Sequence, residues 1–259
     1  MSSYGHTRMV QRLLDQGARV DFTDDLVGFP LQAASGKGHL ETMQLLLNHG
    51  ADPNAYNDGD PKGNALERAA VEGQLEAVQL LLSHGARLHD WCGEYGCILH
   101  AAVKGGNKDI VRLILESEVD VNSKDDFNEP ALFVACGSPR SLDIARMLIR
   151  YGADVNGQGG PHGNALQVAV SFGSVDLIEL LLDSGADVNA RGGCRNTALQ
   201  AAAYGGNLEG AKTLLARGAD ANAETNQSES IYRNALEAAI GQGHEDMVQL
   251  LVDNGATNA

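Results

Sequence analysis

The sequence predicts an all-α repeat protein of stacked helix pairs, and three observations predict it. A leucine opening a short apolar stretch recurs at Leu31, Leu66, Leu99, Leu132, Leu166, Leu199 and Leu236, a period of about 33 residues. A second marker runs in register with the first, because Gly17, Gly50, Gly85, Gly152, Gly185, Gly218 and Gly255 each precede an alanine. Between the markers every unit carries two helical patterns too short to stand alone, so neighbouring units must supply the burial that stabilises them.

Residues 164–189 show how a unit is read. Leu166, Ala169 and Val170 recur at helical spacing in a first helix whose small residues let neighbours approach closely. A second helix over Val175–Asp183 places Leu177, Ile178, Leu181 and Leu182 on one face, and Gly185 supplies a left-handed stop. Taken in order, residues 1–28 hold a partial unit and its connection, with only a second helix beginning near Thr7. Complete helix pairs then open near residues 29, 64, 97, 130, 164, 197 and 234, within one domain over 1–259. The apolar face of Met9, Val10, Leu13 and Leu14 in the partial unit is expected to be partly uncovered. The chain also ends just past a closing Gly-Ala, so both ends read as cut from a longer array.

Within these units Leu99-His100-Ala101-Ala102 and the phrases Gly152-Ala153-Asp154-Val155-Asn156 and Gly185-Ala186-Asp187-Val188-Asn189 resemble the ankyrin repeat family. The variant Gly-Asn-Ala-Leu-Gln at Gly163–Gln167, with Glu in the last place at Gly63–Glu67, also resembles the ankyrin arrays of fungal NACHT-type signalling proteins. The resemblance implies a solenoid of antiparallel helix pairs, projecting β-hairpin-like fingers, and a concave face made by inner helices and fingers. It further implies binding of a protein or peptide partner without catalysis.

Composition narrows the function. Of 259 residues, 43% are hydrophobic and 20% charged, which suits a folded chain. Nineteen Lys and Arg against 34 Asp and Glu leave a net charge of −15, which repels phosphate backbones and anionic membrane surfaces. The longest apolar run, Ala131 to Cys136, falls far short of the about 20 residues that span a bilayer. The N-terminus shows no secretory signal, and four cysteines in a chain of this length make no disulfide framework. A cytoplasmic location, with the nucleus as an alternative, is expected, for a monomer or part of a larger chain.

Two adjacent departures predict a soft joint around residues 116–142. Glu118 stands where other units close with glycine, and an extra residue separates the helices through Gly137-Ser138-Pro139-Arg140. A non-glycine residue in the left-handed region costs about 1 kcal/mol. Two fingers are long: Asn54 to Leu66 spans 12 residues and Asn222 to Leu236 spans 14, against 10 elsewhere.

Several patterns are structural. Asn64/Glu67, Asn164/Gln167, Thr197/Gln200 and Asn234/Glu237 have the spacing of reciprocal capping boxes. Glu41, Glu76, Asp109, Asp143, Asp176 and Glu209 fall in the first turns of second helices, where they complement the helix dipole. His89, Cys92, Cys97 and His100 have the ligand count of a tetrahedral zinc site, but their spacing matches no zinc module and His100 already serves the repeat. No metal, cofactor or enzyme is expected, because phosphate-binding, nucleophile-elbow and zinc-protease motifs are missing from the sequence.

Finger tips carry what the repeat does not require. Large rings recur there at Phe22, Tyr56, Trp91 with Tyr95, Phe127 and Tyr232, and such rings anchor protein interfaces. Asp24, Asp25, Asp58, Asp60, Asp90, Glu94, Asp125, Asp126 and Glu129 make the early fingers acidic, opposed only by Lys62 and Lys124; later fingers carry His162, Arg191 and Arg195. A basic segment of the partner is therefore expected across the N-terminal half, anchored by Tyr56 and Trp91. At the ends of first helices mostly small residues leave room for a partner, with Phe172 and Tyr204 as inner anchors.

Overall fold

Short helices arise wherever an inner run of alanines and an outer run of leucines are separated by a glycine turn. The computed structural model describes residues 3–22, 28–56, 63–88, 96–138, 141–225 and 232–257. Its helices are α1 (Ser3–Asp15), α2 (Pro30–Gly36), α3 (Leu40–Asn48), α4 (Ala65–Val71), α5 (Leu75–Ser83), α6 (Ile98–Gly105) and α7 (Lys108–Leu115). They continue as α8 (Ala131–Cys136), α9 (Leu142–Arg150), α10 (Ala165–Ser171), α11 (Val175–Asp183), α12 (Ala198–Gly205), α13 (Leu208–Ala216), α14 (Ala235–Gln242) and α15 (Glu245–Asp253). Two compact units result, Met1–Asp126 and Phe127–Ala259, and the division falls inside the stretch 116–142.

In the first unit α2, α4 and α6 stack as inner helices, α3, α5 and α7 form an outer layer, and α1 packs on α3. Thr7 Oγ1 and Thr42 Oγ1 share a 2.8 Å hydrogen bond at that last contact. In the second unit α8, α10, α12 and α14 are inner and α9, α11, α13 and α15 outer. Inner helices meet through alanines such as Ala69, Ala101, Ala169 and Ala202, all fully buried, while Leu81, Ile110, Leu148 and Leu181 fill the space between layers. Each such leucine contributes about 1.5–3 kcal/mol by leaving water. Close approach is strictest at Gly105, where a Cβ would strike the Ala70 carbonyl oxygen and lie 2.7 Å from that of Val71. Leu177, Ile178 and Leu181 of α11 are buried as expected, but Leu182, about 100° round the helix from Leu181, is half-buried.

The phrase Gly-Ala-Asp-x-Asn is explained atom by atom. Its glycines, Gly50, Gly152, Gly185 and Gly218, take left-handed φ values of 86–91°. The following alanine N–H then returns to the helix, as in Ala51 to Leu46 and Ala186 to Leu181, both at 3.0 Å, satisfying carbonyls the helix end leaves open. Glu118 adopts φ 59° without being glycine. One finger forms a short antiparallel pair, β1 (Gln158–Gly159) with β2 (Gly163–Asn164), in the register Gln158 to Asn164 and Gly159 to Gly163.

Two expectations change in detail. Helix α1 begins at Ser3 rather than near Thr7 and runs through Gly5, because one glycine costs a helix only about 1 kcal/mol. Both halves of the capping box form at Asn164/Gln167 and Thr197/Gln200. At Asn234 the cap accepts from Glu237 N at 2.9 Å, but the Glu237 carboxylate turns to Arg233, taking its N–H at 2.8 Å and its guanidinium at 3.2 Å. At Asn64 the side chain accepts from Glu67 N at 3.0 Å. The exposed α1 face is as expected, with Met9 62% and Leu13 50% accessible.

Candidate protein-recognition surface

Fingers can present side chains only if their bases are held, and two kinds of amide hold them. The first is the finger-base asparagine. Asp52 Oδ1 accepts Asn54 N at 2.9 Å, which aims the Asn54 amide at the following unit. There its Nδ2 donates to Gly85 O at 3.1 Å and its Oδ1 accepts Arg87 N at 2.8 Å. Asn156, Asn189 and Asn222 repeat this bridge to Gly185 and Asp187, to Gly218 and Asp220, and to Gly255 and Thr257.

The second amide is the glutamine in the first turn of inner helices. Gln32, Gln167 and Gln200 are buried, at 1%, 2% and 5% exposure. Gln167 Oε1 accepts the Asn164 N–H at 3.0 Å, while its Nε2 donates onward to Gly192 O at 3.1 Å and Asn196 O at 2.8 Å. Gln32 Nε2 reaches Gly63 O at 2.8 Å, and Gln200 Nε2 reaches Arg233 O at 3.0 Å. Spacing alone predicts the capping half of this arrangement and misses the bridge to the next finger. Buried amides with every bond made rigidify what they join.

The rings divide into two groups. Phe22, Tyr56, Phe127 and Phe172 stand open, at 63%, 46%, 67% and 54% exposure. Tyr232 instead folds back and meets Tyr204, both half-buried, with ring centroids 6.2 Å apart at 57°. Tyr232 lies across Gly241, where a Cβ would come within 2.6 Å of its hydroxyl, and that hydroxyl accepts from Gln242 Nε2 at 3.1 Å. Arg195, singled out by sequence for charge alone, stacks its guanidinium 3.8 Å from the centroid of the Tyr204 ring. Trp91, Tyr95, Asp24, Asp25, Asp58, Asp60, Asp90, Glu94 and Lys62 lie outside the described residues. Lys124 and Asp126 are exposed, and Asp125 and Glu129 half-buried. A feature absent from the sequence reading is an open groove of about 720 Å³ on the outer helices, where Leu40 and Gln44 of α3 face Leu80 and Ser83 of α5.

Of the four cysteine and histidine positions considered for zinc, His89 and Cys92 lie outside the described residues. Cys97 Sγ and His100 Nδ1 approach to 2.7 Å, with Ser123 Oγ 3.4 Å from the same sulfur. Burial of Cys97 pushes its thiol up, but the hydrogen bond and charge of His100, helped by Ser123, more than offset it, and the net shift is downward. Cys136 is the opposite case: burial without such partners pushes its thiol up to about 12. Among the described residues no group of three or more metal-ligating side chains converges, and no helix is long and apolar enough to cross a membrane.

Comparison with known proteins agrees with this architecture. The family model for ankyrin repeats (3 copies) matches residues 1–92, 89–159 and 166–259. A transient receptor potential cation channel subfamily A member 1 homolog from Caenorhabditis elegans is 27% identical over 153 residues, covering 58% of this chain and 12% of that protein. The chain thus corresponds to a small part of the channel homolog's length. The crystal structure of the human ASB11 ankyrin repeat domain superposes with a TM-score of 0.73 at 26% identity, covering 84% of this chain and 96% of that one.

Proposed function

This chain belongs to the ankyrin repeat family, and from that premise we propose that it is a non-catalytic scaffold binding a protein or peptide partner through finger tips and inner-helix ends. Ankyrin repeats generally mediate protein–protein interaction. The supporting observation is the contrast between locked finger bases and open rings. Amide bridges fix the backbone around Asn54, Asn156, Asn189 and Gln167, while Phe22, Tyr56, Phe127 and Phe172 present large apolar faces to solvent. Binding to such a surface spends little on ordering, so shallow contacts add up to useful affinity. The acidic early fingers, Asp24, Asp25, Asp58, Asp60 and Glu94 among them, would steer a basic segment of the partner toward Tyr56, Trp91 and Tyr95.

The test is capture of partners from a cell extract on the chain and on a variant with alanine at Tyr56, Trp91, Tyr95 and Phe127. Loss of specific partners in the variant is expected, together with weaker association at high salt. The same set on both, or salt-independent binding, overturns the assignment. A second reading, a sensor or autoinhibitory ankyrin arm of a larger NACHT-type signalling protein, is favoured by the accessible Met9 and Leu13 face of α1. The free thiols of Cys97, Cys136 and Cys194 fit a reducing, cytoplasmic setting for either reading.

A further inference from the structure

We propose that the Arg195–Tyr204–Tyr232 stack of the second unit is a receptor for a carboxylate side chain, and that the segment it takes is an acidic peptide with an adjoining apolar residue. The inference rests on the scaffold reading and adds the chemistry of the partner at one defined face. It concerns a different surface from the acidic early fingers.

Three observations carry it. The Arg195 guanidinium carbon lies 3.8 Å from the centroid of the Tyr204 ring, a cation–π contact that engages none of its N–H donors in a hydrogen bond to a carboxylate. The platform is fixed from below: Tyr204 meets Tyr232, Tyr232 rests on Gly241 and bonds Gln242, and His244 Nε2 lies 3.3 Å from Tyr204 O. In a chain of net charge −15 the guanidinium nevertheless has no ion pair or side-chain hydrogen bond among the described residues. Glu237, the acid that opens the neighbouring inner helix, is held by Arg233, and Lys212 and Arg217 have their own partners in Glu209 and Asp183. Among the described residues Arg195 is therefore a fork with no carboxylate partner.

The surroundings select the rest of the ligand. Arg191, on the same finger, is exposed and adds positive charge. Phe172 at the end of α10 and Ile240 on α14, 54% and 51% accessible, flank α12 on either side and offer apolar contact. A carboxylate bound in bidentate fashion on Arg195, with an aliphatic or aromatic neighbour against Phe172 or Ile240, satisfies both features. A nucleic-acid backbone, also anionic, is repelled by the acidic remainder of the chain.

The experiment is selection of random displayed peptides on the whole chain, followed by affinity measurement of a labelled selected peptide. Enrichment of Asp or Glu beside an apolar residue is expected. Arg195→Ala should weaken that peptide on the order of tenfold to a hundredfold, the range for losing a charge-assisted hydrogen-bonded pair. Arg195→Lys, which keeps the charge and removes the fork, should recover only part of the loss; its unchanged thermal melt excludes misfolding as the cause. Selected peptides lacking acidic residues, or equal affinity for Arg195→Ala, overturn the proposal. Selection of basic peptides leaves the scaffold reading standing and sinks this one; selection of none sinks both.

Discussion

Replacing Gln167 with alanine removes the amide that ties α10 to the finger after it. Three hydrogen bonds are lost: one from the Asn164 N–H and two to the carbonyls of Gly192 and Asn196. At about 1 kcal/mol net for each, the change is about 3 kcal/mol, and the site is 2% exposed, so water cannot readily replace the lost partners. For a protein of this size that corresponds to a fall in melting temperature of roughly 6–12 °C. Urea denaturation followed by circular dichroism measures the first quantity, and amide hydrogen exchange across residues 190–197 locates it. The finger amides should exchange faster in the variant, whereas α15 should be little altered. A loss below about 0.5 kcal/mol, the size of an ordinary surface change, would refute the idea that this amide couples neighbouring repeats.

Leu148→Ala, at a fully buried position between layers, should cost about 2–5 kcal/mol in the same denaturation assay; a near-neutral result would mean the layers can collapse around the gap. Glu118→Gly should stabilise by about 1 kcal/mol, because φ 59° no longer opposes a side chain, and a destabilised variant would contradict that account of the position. The lowered Cys97 thiol should be alkylated at neutral pH faster than a model thiol once allowance is made for its partial burial, and His100→Ala should shift the rate profile to higher pH. Linkage gives the two thiols opposite signs. Between the lowered folded value and the ordinary thiol range, Cys97 makes stability rise with pH, since only the unfolded chain still holds the proton. Cys136, at about 12 when folded, makes stability fall from the ordinary thiol range upward, by about 1.4 kcal/mol per pH unit, and Cys136→Ala should flatten that alkaline loss.

The repeat was readable because each of its marks solves a local backbone problem. Gly185 reverses the chain, Ala186 N–H closes the helix on Leu181, and Asp187 Oδ1 orients Asn189, all within five residues. First-turn acids such as Asp176 and caps such as Thr197 are equally local. What remained hidden depends on neighbours about one repeat away. The Gln200 amide reaches the Arg233 carbonyl, and Tyr232 returns from its finger to Tyr204, contacts that no spacing within a single unit encodes. Arg195 was visible as a charge, but its stacking required knowing that the end of α12 lies beneath it. The same limit explains Glu237, whose spacing to Asn234 matches a capping pair while Arg233, one residue earlier, captures its carboxylate.

A titration of the captured partner onto a chain carrying alanine at Phe22, Tyr56, Phe127 and Phe172 addresses the central claim most directly, because these four rings are accessible and their loss spares the packed layers. Affinity lower by tenfold or more, at an unchanged melting temperature, is the predicted result. Undiminished affinity would show that the partner is held elsewhere and that the open rings are not the recognition surface.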